Sequence, residues 1–248
     1  METTRISALL TPFLAQPLPS SQLDQISTYI DLLKRWNARI NLTAIRHEEE
    51  IVTRHFGESL FMASHLFPNP IQNSQPICHP ERSQLIRKAE ELAESKDPYF
   101  QRELVPPNNV HVLDIGSGAG FPAIPLKIWA PSLHLTLIES NHKKAAFLRE
   151  IARALTLTNV NVIAERTGVV LASPEFPQAE VVTLRAVEQF VEILPQALSF
   201  LTPKGRLALL IGASQIQQLE ALSSIAWLPF IDIPASHSRV LAIGIRQT

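Results

Sequence analysis

Apolar residues change their spacing part-way along this chain, and the change divides the sequence. Across residues 22–40, Leu23, Ile26, Ile30, Leu33 and Ile40 recur largely at three- and four-residue steps. That repeat predicts an amphipathic helix, with Ser20 or Ser21 placed to cap its start. A second helical pattern runs from about Glu48 to Leu66, with acids in its first turn. Together they predict a helical N-terminal cap over residues 1–67. Residues 68–109 lose the pattern, and seven prolines between Pro68 and Pro107 flank a charged stretch, Arg82 to Ser95. Low hydrophobicity and scattered prolines predict an exposed insertion or linker there.

From Val110 onward the pattern alternates between strand and helix. Strands are expected at 110–115, 133–139, 160–165, 180–184, 206–211, 226–233 and 238–246. Helical stretches separate the first six, and only a short turn separates the last two. Five β-α steps, a sixth strand and a hairpin back predict an α/β fold for residues 110–248. Its sheet has seven strands, the last one antiparallel.

The bulk numbers narrow the class. At 248 residues the chain can bury a substantial core, and 46% hydrophobic residues fit a globular protein. No apolar run approaches the ~20 residues of a membrane helix, so a cytoplasmic protein is expected. Cys78 is the single cysteine, which excludes a disulfide framework and a thiolate metal cluster. The eight histidines lack ligand spacing, so no metal is expected. A formal charge of −1 removes any bulk electrostatic case for nucleic-acid binding and leaves only a local patch to support one.

The chemistry concentrates at Asp114-Ile-Gly-Ser-Gly-Ala-Gly120. The chain has 8 glycines, and Gly116, Gly118 and Gly120 fall within this one loop. Glycine gathers where backbone must turn tightly or meet a ligand without a Cβ between them. A dinucleotide fingerprint would need its third glycine three residues beyond Gly118, where Phe121 stands. S-adenosylmethionine (AdoMet) has no pyrophosphate but does carry a cationic amino group and a sulfonium. Asp114 is placed to complement that positive end. Glu139, at the end of the second strand, can accept hydrogen bonds from both ribose hydroxyls. These features predict an AdoMet site on a class I AdoMet-dependent methyltransferase sheet of Rossmann-like topology.

Two acceptor chemistries are disfavoured. An exocyclic base nitrogen calls for an Asn/Asp-Pro-Pro-Tyr/Phe turn after the fourth strand, where this chain has Thr183-Leu-Arg-Ala186. Carbon-5 of a pyrimidine calls for a cysteine nucleophile, and Cys78 lies outside the sheet. Guanine N7 needs neither device, since its lone pair is exposed and carries no proton. Alignment alone can supply ~7–11 kcal/mol.

Four segments carry a family resemblance: Leu33-Lys-Arg-Trp-Asn-Ala-Arg-Ile-Asn-Leu-Thr-Ala44, Arg54-His-Phe-Gly-Glu-Ser-Leu60, Leu113-Asp-Ile-Gly-Ser-Gly-Ala-Gly-Phe-Pro122 and Leu184-Arg-Ala186. In these the chain resembles the RsmG (GidB) family. The resemblance implies methyl transfer from AdoMet to N7 of one guanine in 16S ribosomal RNA, with the small ribosomal subunit as partner. It also implies AdoMet contacts at Gly116, Phe121, Thr167, Gly168 and Arg185. The chain departs from the family pattern at Ala123, Gly168 and Ile211, and in its long insertion.

Arg185 could pair with the AdoMet carboxylate or steer a phosphate. The structural alternative is an ion pair with an acid such as Glu188. Lys34, Arg35, Arg39, Arg46 and Arg54, with His47 and His55, give the cap a basic bias toward RNA phosphates, while Trp36 is expected in the core. His142, Lys143 and Lys144 are expected at the surface, Asn41 and Thr43 in a turn, and Ser117 as a loop residue. A monomer is expected. Other readings are a protein or small-molecule acceptor at the same site, or a ribosome-associated AdoMet-binding module without catalysis.

Overall fold

The computed structural model describes residues 1–68, 109–173, 175–176, 178–185, 190–219, 222–236 and 238–247. Almost all of the proline-rich insertion, with Cys78 in it, lies outside the described residues, as does Glu188.

The chain opens with helices α1 (Thr3–Leu10) and α2 (Ser20–Ile40). A helical turn Glu48–Glu50, a π-helical segment Ile51–Gly57 and α3 (Glu58–Leu66) then run on without a break. Helix α2 buries Ile26, Ile30 and Leu33, as the three- and four-residue spacing predicts, and adds Tyr29 to the same face. It stops where Asn41 turns left-handed at φ 48°, a conformation asparagine tolerates.

Strands β1 (His111–Ile115), β2 (His134–Ile138), β3 (Val160–Ile163), β4 (Ala179–Arg185) and β5 (Leu201–Gly212) are parallel. Between and around them lie helices α4 (Ala123–Trp129), α5 (His142–Ala154), α6 (Thr167–Leu171), α7 (Phe190–Ser199) and α8 (Ile216–Leu219). The last strands are β6 (Ile225–Trp227), β7 (Ile231–Asp232) and β8 (Arg239–Arg246). Their order is β3-β2-β1-β4-β5-β8-β6, with β8 antiparallel to both neighbours.

Among the described residues the sheet therefore has eight strands where seven were expected. The single strand expected at 226–233 is split into β6 and β7, both paired with β8. Trp227 lies opposite Gly244 and Ile231 opposite Leu241, so three intervening residues on one side face two on the other. Pro229 sits in the gap and has no N–H to give to the ladder. The layout is otherwise the class I methyltransferase order that the sequence predicts.

Alternation along the strands separates two apolar layers. Val112, Leu135, Leu137, Val181, Leu210 and Leu241 share one cluster with the N-terminal helices, α4 and α5. Leu113, Ile138, Val182, Leu184 and Leu209 face the other way with α7. The cap is thus continuous with one core layer of the sheet. Polar ties reinforce it: Gln22 donates to Ile128 O at 2.8 Å, and Trp129 Nε1 donates to Phe67 O at 2.8 Å.

Register places the site. Ile115 aligns with Ile138 on β2 and with Leu184 on β4. The next residues, Gly116, Glu139 and Arg185, therefore emerge side by side at the carboxyl ends of three adjacent strands. Strand order reverses between β1 and β4, and in such sheets ligands bind outside that crevice.

Candidate functional site

The loop after β1 is held by the end of β2. Gly116 N and Ser117 N donate to Ile138 O at 2.9 and 3.1 Å. Gly118 N donates to Glu139 Oε2 at 2.8 Å, and the other carboxylate oxygen takes Asn141 N at 2.8 Å. Asn141 in turn caps α5 by accepting from Lys143 N and Lys144 N. All three loop glycines have positive φ: 68°, 55° and 87°. A Cβ on Gly118 would meet only Gly116 O, at 3.7 Å, so the backbone there faces open space. A Cβ on Gly120 would lie 2.5 Å from the hydroxyl of Tyr29, which donates to Ala119 O.

Phe121 is the hinge between loop and cap. Its ring stacks on Tyr29 at 5.2 Å and on His55 at 4.6 Å, with Phe56 edge-on at 5.1 Å. Both stacking partners come from the cap.

Asp114 lies beneath the loop and is 1% exposed. Thr183 Oγ1 donates to its Oδ1 at 2.6 Å, while Oδ2 is buried without a partner. Burial pushes its carboxyl up to about 7. An orphaned carboxylate oxygen is an acceptor held ready for a cation.

The opposite wall is cationic. Arg185 Nη2 donates to Arg54 O at 2.6 Å and to Glu58 Oε2 at 3.1 Å. Here the helix is π-helical, and the amide of Glu58 bonds Thr53 O and His55 O rather than Arg54 O. Arg239 Nη2 sits 3.1 Å from the same Glu58 oxygen. Arg185 Nη1 and Arg239 Nε are buried without partners. Burial lowers Arg185 to about 10, which leaves it protonated near neutrality, and burial raises Glu58 against the pull of Arg185, Arg239 and Arg54. His55 donates or accepts through Nε2 with Thr43 Oγ1 at 2.8 Å, and its Nδ1 is buried and unpartnered. Burial and the surrounding arginines push it down to about 2, so it is neutral.

These walls enclose a cavity of about 300 Å³, at the small end of the range for ligand sites. Its lining combines Gly116, Ser117, Gly118, Phe121, Glu139, Lys144 and Arg185 from the sheet side with Thr43, Arg54 and His55 from the cap, and adds Arg239 from β8. A wider concavity of about 620 Å³ around His111, His134 and Asn161 lies at the opposite strand ends and shares none of these groups.

Of the residues named from sequence, Gly116, Gly118, Phe121, Glu139 and Arg185 meet in the one cavity, with Asp114 directly under it. Thr167 and Gly168 open α6 at the same edge of the sheet but are not among the lining residues. Arg185 makes an ion pair with an acid, and among the described residues that acid is Glu58, reached across 127 residues of sequence. Other expectations are corrected. Lys144 lines the cavity. His55 is a neutral stacking group and adds no charge, while Lys34 and Arg54 pair with Glu48 and Glu50. Trp36 packs at the core edge against Phe147, as expected. Asn41 and Thr43 hold the turn after α2, where Asn37 clasps Thr43 through N–H and C=O at 2.9 and 3.0 Å. Glu58 carried no signal in the sequence beyond the Arg54–Leu60 motif, which assigned it no role, and Arg239 carried none.

A family model described as rRNA small subunit methyltransferase G, GidB, matches residues 22–72 and 97–228. The chain belongs to the GidB family. Among its relatives is a ribosomal RNA small subunit methyltransferase G of Roseiflexus castenholzii, 38% identical over 196 residues, 76% of this chain and 67% of that one. A protein of the same name from Chloroflexus aggregans is 36% identical over 208 residues, covering 83% and 70%. One from Streptococcus pyogenes is 31% identical over 230 residues, covering 92% and 81%. The GidB match spans both walls of the cavity except Arg239.

The residues present fit AdoMet on structural grounds. The open backbone at Gly118 can take a flat nucleoside. The orphaned Asp114 oxygen suits its cationic end. Each Glu139 oxygen keeps a lone pair for a ribose hydroxyl. Among the described residues, no group of three or more His, Cys, Asp or Glu could hold a metal ion, and no helix is long and apolar enough to cross a membrane.

Proposed function

We propose that this chain transfers a methyl group from AdoMet to N7 of a guanine in 16S ribosomal RNA, acting as a cytoplasmic monomer on the small ribosomal subunit. The observation that carries this reading is a single cavity with an acid-backed glycine cradle on one wall and a bridged arginine pair on the other, in a GidB-family chain. Asp114, Gly116, Gly118, Phe121 and Glu139 hold the donor. Thr167 and Gly168 border its adenine side, and Arg185 is the catalytic residue that orients the reactants.

When bound, AdoMet supplies a methyl group on a positively charged sulfur. Guanine N7 has a lone pair already free, so the protein would have no proton to remove. His55 is consistent with this: it is neutral, buried and flanked by arginines, and so poorly placed to gain a proton. The work left to the protein is alignment of the two reactants. Arg185 stays charged and anchored at two points, which suits a clamp.

The test is incubation of the protein with labelled AdoMet and small ribosomal subunits, followed by nuclease digestion. Label in 7-methylguanosine is the expected result. Transfer that survives nuclease treatment, or none at all, refutes the reading.

A further inference from the structure

The cationic wall holds more charge than its own acid can balance. Glu58 is a single carboxylate with a side chain 3% exposed, and one of its oxygens serves both Arg185 and Arg239 at 3.1 Å. Lys144 also lines the cavity, Arg54 being paired with Glu50, and among the described residues the one acid lining it is Glu139, engaged by two backbone amides on the far wall. Buried N–H donors are nearly always satisfied, yet Arg185 Nη1 and Arg239 Nε are not. The two arginines differ in reach: the Arg239 side chain is 20% exposed against 6% for Arg185. Arg239 stands at the open end of β8, opposite Gly212. AdoMet carries net positive charge and is matched by the acidic wall, so the surplus on the other wall is left for an anionic ligand.

We propose that Arg239, held in place by Glu58, binds a phosphodiester of the acceptor RNA in an anion subsite separate from the donor cradle. Glu58 is then a positioning residue for two arginines at once, one serving the donor side and the other the acceptor. This inference rests on the reading of the chain as an RNA methyltransferase.

The test is an Arg239→Gln variant of the full chain, with binding to small ribosomal subunits measured across a KCl series and AdoMet binding measured by calorimetry. Loss of one phosphate contact is expected to weaken subunit binding about tenfold and to lower the slope of log affinity against log salt by about 0.7–1. AdoMet affinity is expected to stay within about twofold, the range of an untouched subsite. Arg239→Lys keeps the charge and should restore the slope, which separates a phosphate contact from a general loss of packing. An unmoved slope overturns the proposal. So does a fall in AdoMet affinity matching the fall in RNA affinity, which would assign Arg239 to the donor's carboxylate. Wild-type protein in the same series distinguishes the two levels. If it binds and methylates subunits while Arg239→Gln leaves the slope unchanged, only the Arg239 assignment fails. If wild type has no subunit affinity, both fail.

Discussion

The two walls of the cavity are built in different ways. The acidic wall comes from one short stretch, Asp114 to Glu139, folded back on itself by two adjacent parallel strands. Backbone makes most of it: three left-handed glycines and amide bonds to Ile138 O and Glu139. The cationic wall is assembled from a π-helical segment, the end of β4 and the start of an antiparallel strand. Its contacts are made by side chains from distant parts of the chain, Arg185 reaching Arg54 O and, across 127 residues, Glu58. A wall made of local backbone is robust to distant changes. A wall made of remote side chains exists only while cap and sheet stay packed together.

Substitutions should separate the walls in proportion to what they break. Glu58→Ala leaves two arginines facing each other without their carboxylate, and breaking a buried pair of this kind costs about 3–5 kcal/mol. Urea denaturation should report that loss. AdoMet binding, measured under conditions where the variant is folded, should fall less than RNA binding. Gly120→Ala strikes the seam between the walls. A methyl 2.5 Å from the Tyr29 hydroxyl, at φ 87°, adds overpacking to backbone strain, together about 2–4 kcal/mol. Thermal melting should fall, and both ligands should bind more weakly.

Asp114 probes the acidic wall through pH. Its carboxyl is pushed up to about 7 in the folded protein by burial, against about 4 in an unfolded chain. The folded protein holds that proton more tightly, so this group's contribution to stability is present below about pH 4 and is lost as pH rises through 7. Asp114→Asn should remove this dependence and stabilise the protein at pH 8 relative to wild type. A cationic donor favours the ionised form, so AdoMet affinity of the wild type should rise about tenfold from pH 6 to pH 8. Calorimetry at the two values checks it, and a flat profile would mean that Asp114 does not face the donor's charge. The smallest effect is expected from Thr43→Val. It removes the hydroxyl bonded to His55 Nε2 and costs about 1 kcal/mol. A drop in melting temperature with AdoMet affinity unchanged would place that bond with the cap.

Much of the acidic wall was legible because its determinants are adjacent in sequence. Glycines, a strand-end acid and alternating apolar residues announce a βαβ unit whatever else the chain does. The amphipathic stripe of α2 was legible for the same reason, and so was the turn at Asn41 and Thr43. The interruption at Pro229 was not, since a strand pattern of eight residues hides which backbone N–H the ladder needs. Tyr29 shows the limit within one helix. Its place on the buried face follows from the spacing, but its contact with Ala119 O, 90 residues away, does not. Arg239 was invisible, as one arginine at the start of a late strand resembles any exposed strand end.

From its order of residues alone, this chain determined a sheet of the methyltransferase type, a glycine cradle at the end of β1 and an acid one strand over. Only the folded arrangement decided that Glu58 would hold both Arg185 and Arg239, that His55 would be neutral, and that a chain of near-zero net charge would concentrate cations in one pocket. The reason is range. Backbone conformation and apolar periodicity act over a few residues and are written locally. Desolvation and charge pairing depend on which groups are brought together, and only the packing of the cap against the sheet brings these together.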